Sequence, residues 1–75
     1  MNVTFEEIKK IKPGCFKPFV CEDAYKMQSG STMVSRVKRL GMPEGVVDYE
    51  IQSFFENNVL LVHALKEGEE KVLNR

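Results

Sequence analysis

A chain of 75 residues with 43% hydrophobic side chains is too short for two cores and too apolar for a disordered tail, so one folded domain over residues 1–75 is expected. Eleven basic and eleven acidic residues cancel, which removes any global electrostatic pull towards nucleic acid or an anionic membrane. Two cysteines, Cys15 and Cys21, and one histidine, His63, fall short of the usual four ligands of a structural zinc site, so neither metal nor cofactor is expected.

Residues Met1 to Glu7 have neither the basic start nor the apolar core of a secretory leader. A cytoplasmic location with reduced thiols follows as the expectation, and Asn2-Val3-Thr4 then matches a glycosylation acceptor in form only. The longest apolar run, Val59 to Val62, is far too short to cross a bilayer. Charge is unevenly placed: Lys26, Arg36, Lys38 and Arg39 lie in a stretch with no acid, whereas Glu44, Asp48, Glu50 and Glu56 lie in one with no base. A two-sided molecule is expected.

Thr4-Phe5-Glu6-Glu7 has the form of a capping box, and Phe5, Ile8 and Ile11 fall on one helical face, which predicts a first helix over residues 5–11. Pro13-Gly14 ends it. The segment through Lys17-Pro18-Phe19 reads as a loop, because Pro18 has no amide hydrogen and restricts its predecessor. Val20, Ala24 and Met27 recur at helical spacing, with Glu22 and Asp23 suited to the positive end of a second helix. Ser29-Gly30-Ser31 is expected to interrupt it, and a third helix runs from Thr32 to Leu40, with Met33, Val34, Val37 and Leu40 inward and Gly41 at its end.

Residues 46–55 satisfy two periods. Val47, Ile51, Phe54 and Phe55 fit a helix, while Val47, Tyr49, Ile51, Ser53 and Phe55 alternate with Asp48, Glu50 and Gln52 as in a strand. The β-branched and aromatic content favours the strand, with Asn57-Asn58 as a hairpin turn and Val59 to Lys66 as its partner. Glu67-Gly68-Glu69 turns the chain again and leaves Lys71-Val72-Leu73 as a third short strand. The predicted class is α+β: three short helices followed by a C-terminal antiparallel hairpin.

No catalytic set emerges. His63 has no second histidine and no orienting partner or pocket can be assigned to it from the sequence, no base can be assigned to Cys15, and Gln28-Ser29-Gly30-Ser31-Thr32 lacks the spaced glycines and lysine of a phosphate loop. In the stretch 20–39, Ala24 is a small residue inside one helix, Met27 closes that helix, and Val34 and Val37 lie three apart in the next. This stretch resembles the helix-turn-helix core of small bacterial and phage DNA-binding proteins. With the following hairpin, the whole is similar to reduced winged-helix domains of the excisionase-like and MerR-like kinds.

It departs from that pattern at Gln28, Ser29 and Asp23, and its wing tip, Glu56-Asn57-Asn58, lacks the usual basic residues. The resemblance implies that Ala24 is buried at a helix crossing. It also implies that the chain is a non-enzymatic DNA-binding protein, a homodimeric transcriptional regulator or recombination accessory factor with double-stranded DNA as partner. Thr32, Ser35, Arg36 and Arg39 form the outward stripe of the third helix, with residue types that reach base edges and phosphates, and Lys26 and Lys38 are placed to hold the backbone on either side. The rival class is a protein-interaction module, a phage- or plasmid-type adaptor or inhibitor, because Phe54, Phe55, Leu60 and Leu61 supply more apolar bulk than one small core needs.

Overall fold

The computed structural model describes residues 3–73; Asn2 of the acceptor-like triplet lies outside them. Thr4, in an extended conformation, accepts the amide of Glu7 at 3.2 Å and starts helix α1, Phe5–Lys9. The capping residue is the expected one, while the helix stops two residues short of Ile11. Ile8 and Ile11 are nonetheless both buried, because the chain bends after Lys10 without leaving the core. Gly14, with φ +82°, completes the turn that Pro13 begins.

The segment expected as a loop is strand β1, Phe16–Val20. Proline is tolerated there because β1 lies at a sheet edge, where a residue without an N–H costs no ladder bond. Val20 therefore belongs to a strand and not to a helix. Asp23 is the N-cap of α2, accepting the amide of Lys26 at 3.0 Å, and the helix runs unbroken over Ala24–Leu40.

The expected break at residues 29–31 does not occur, so the described residues hold two α-helices where three were expected. Ser31 and Thr32 donate their hydroxyls to the carbonyls of Met27 and Gln28, one turn back, and so stay inside the helix instead of capping a new one. Gly30 is buried where α2 comes nearest the sheet: a Cβ there would stand 2.6 Å from Leu60 Cδ2. Its missing side chain serves close packing and not a turn. Ala24 is exposed at the helix start, since no second helix crosses it, and Leu40 is also exposed at the far end.

Gly41, with φ +135°, ends α2, and strand β2, Val46–Phe54, follows as expected for residues 46–55. An irregularity between Val46 and Asp48 turns Val47 outward and Phe55 falls in the turn after β2, so the predicted alternation holds from Tyr49 to Ser53. The hairpin turn is longer than two residues: Phe55–Asn57 form a single 3-10 turn and Asn58 takes φ +54°, a conformation asparagine tolerates. Strand β3, Val59–Lys66, is the centre of the sheet. The third strand is β1, not residues 71–73, which carry no regular secondary structure.

The sheet has the order β1-β3-β2 and is antiparallel throughout, with Phe19, Leu60 and Ser53 in one register row and Phe16, His63 and Glu50 in another. Both helices lie on one side of it. From that side Phe19, Tyr49, Leu60, Val62 and Ala64 meet Met27, Val34 and Val37 of α2 and Ile8 of α1. Each large side chain so buried stabilises the fold by about 1.5–3 kcal/mol. Among the described residues no helix is long and apolar enough to cross a membrane.

Candidate functional site

Successive strand residues point to opposite faces, so burying Phe19, Leu60, Val62, Tyr49 and Ile51 under the helices sends their neighbours to the other face. That face carries Phe16, Pro18 and Val20 from β1, Val59 and Leu61 from β3, and Gln52 and Phe54 from β2. No helix covers it. Val20 is 63% exposed, Phe16 45% and Phe54 39%, and Pro18 is exposed beside them. The seven residues include no charge, in a chain that is 29% charged.

One end of the same face is closed by a polar cluster. His63 is fully buried, with Nδ1 2.6 Å from Glu50 Oε2 and Nε2 3.1 Å from Glu69 Oε2. The Phe16 ring stacks on the imidazole, centroids 3.9 Å apart and planes 12° from parallel. Glu50 also accepts the backbone amides of Val72 and Leu73, each at 2.9 Å, and Glu69 accepts that of Lys66 at 3.1 Å. Burial pushes the Glu50 carboxyl up, yet the hydrogen bonds from His63, Val72 and Leu73 and the attraction of His63 outweigh it and hold it below the ordinary glutamate range. The Lys66 amide, against a smaller opposing effect of burial and with help from His63, holds Glu69 low as well.

Each ring nitrogen of His63 faces a carboxylate oxygen, and the tautomer sets to which of them the ring donates. With both nitrogens taken and the ring shielded, this cluster offers no lone pair to a substrate. Its chemistry is that of a buried clamp. Among the described residues no group of three or more histidine, cysteine or acidic side chains is arranged to hold a metal ion.

The residues predicted for DNA contact lie on one continuous helix. Thr32, Ser35, Arg36 and Arg39 are all exposed on its outer side, although the Thr32 hydroxyl is already bonded to Gln28. Arg36 and Arg39 make no ion pair among the described residues. Lys26 sits near the other end of α2, roughly 20 Å from Arg39 along the axis at 1.5 Å per residue. Lys38 is drawn away from this stripe: its Nζ lies 3.1 Å from Asp48 Oδ1 at the edge of β2, so the basic and acidic sides of the molecule meet there.

Glu50, Glu69 and Phe16 escaped the sequence reading. No periodicity announces a carboxylate that will be buried by pairing with a histidine thirteen residues later. The open face left a signal in the surplus of apolar residues around the hairpin, where Leu60 belongs to the core and Leu61 and Phe54 to the open side. Comparisons with protein-family models, with curated proteins and with solved structures gave no match.

Proposed function

We propose that this chain is a non-enzymatic protein-interaction module that pairs with a second copy of itself through the open sheet face. The observation that carries the reading is the uncharged apolar surface from Phe16 to Phe54 on the side of the sheet without helices. Charge depletion at the centre of a surface is the compositional mark of an interface core. Two copies facing each other there bury no like charges, and a net charge of zero gives no long-range repulsion between them. Gln52 has both donors and acceptors to offer its symmetry mate.

Size sets the strength expected. Three strands cover roughly 15 Å across and the open rows roughly 15 Å along them, a patch of about 200 Å². A stable interface takes about 800 Å² from each partner, so the patch is a centre that needs a rim. Phe55 follows Phe54, and Tyr25 lines a cleft with Val20; both are exposed near this end of the sheet. Sedimentation equilibrium from about 1 µM to 1 mM reads the association directly. Val20→Lys and Leu61→Lys are expected to weaken it; a parent that stays monomeric throughout, or variants that associate as the parent does, would overturn the reading.

DNA binding is the second reading, favoured by one specific observation: the charges of Arg36 and Arg39 are exposed on one helix face without an acidic partner among the described residues. Replacing both with alanine is expected to weaken binding to duplex DNA and flatten its salt dependence by nearly one unit of slope per lost phosphate contact. A parent that does not bind at low salt removes this reading.

A further inference from the structure

His63, Leu65 and Glu50 are buried, yet register places them on the side of the sheet that carries no helix. Leu65 also stands outside the cluster that packs under the helices. The cover over this end is the segment after β3. It turns at Gly68, with φ +82°, and then passes over the Glu50 carboxylate without joining the sheet.

We propose that residues 69–73 form a displaceable strap over one end of the open face, latched by Glu50, His63 and Glu69, whose release widens the surface that receives a second copy. The widening rests on the self-association reading; the latch does not. Two of its fastenings fall on one group, and Lys71 adds an ion pair to Asp48 at 3.3 Å. One carboxylate holds the amides of both Val72 and Leu73, so losing that acceptor frees two bonds together. Val72 is 47% exposed and adds little burial of its own.

Glu50 and Glu69 face the His63 ring from β2 and from the strap, so one imidazole ties together the two carboxylates of the latch, Phe16 of β1 stacks on that ring, and Lys71 of the strap meets Asp48 at the strand edge.

Backbone amide exchange measured by NMR, beside sedimentation equilibrium on the same samples, tests this. In the parent the Val72 and Leu73 amides are expected to be protected. Glu50→Gln is expected to speed their exchange about tenfold or more, leave the Leu60 and Val62 amides protected, and tighten association. Val72→Pro deletes one strap donor at a half-exposed position without touching the core, so its effect on Leu73 exchange and on association tests the strap even if Glu50→Gln unfolds.

Parent strap amides that exchange like those of an unstructured chain would overturn the latch. Strap release with unchanged association would overturn the widening. Val20→Lys leaves the strap intact, so its failure to affect association condemns the pairing face and not the latch.

Discussion

Replacing Gly30 with alanine sets two known effects against each other. Alanine is worth about 1 kcal/mol over glycine in a helix interior, so on propensity alone the variant gains stability. The structure places the added methyl 2.6 Å from Leu60 Cδ2 and 3.2 Å from each Val3 methyl. Leu60 is fully buried on the central strand, so its side chain must shift against close-packed neighbours to make room. Overpacking of this kind costs about 1–3 kcal/mol. The balance is a net loss of about 1 kcal/mol, or a melting temperature lower by about 4–8 °C for a domain of this size. Urea and thermal unfolding followed by circular dichroism measure it. Leu60→Val, destabilising alone, is expected to recover part of the loss when combined with Gly30→Ala, because it shortens the side chain that the new methyl strikes. A Gly30→Ala protein more stable than its parent would refute the close approach of α2 to β3.

The continuity of α2 makes Ser29→Ala a discriminating change. Inside a helix it gains up to about 0.5 kcal/mol, whereas the loss of a helix cap would cost about 0.5–2 kcal/mol, so the sign of the shift in urea midpoint decides whether residues 29–31 are a turn. Acid provides a further test. Because Glu50 and Glu69 titrate below the ordinary range when folded, their contribution is complete above that range and is lost as pH falls through the lowered values, below about pH 4. Denaturation midpoints are expected to fall between neutral pH and pH 3, with a shallower fall in Glu50→Gln; an identical fall in that variant would show that the cluster does not couple to folding.

Local chemistry alone settled much of this chain. Thr4 as a cap, Pro13-Gly14 as a turn, the alternation over residues 49–53 and the positive φ of Asn58 each depend on residues within a few positions of one another, so they were legible without a fold. The open sheet face was half legible, as a surplus of apolar side chains without a direction. What only tertiary structure decided involves residues far apart in the chain. Gly30 signals a turn by its own backbone freedom, and only the approach of Leu60 and Val3 shows that its small size is used for packing. Pro18 argues against a strand until β3 pairs along one side of it and leaves its other side at the edge. Glu50 reads as a solvent-facing acid in the alternation of its strand; strand register and the returning segment at Val72 and Leu73 make it a buried one, because a carboxylate can leave water only where distant donors replace its hydration.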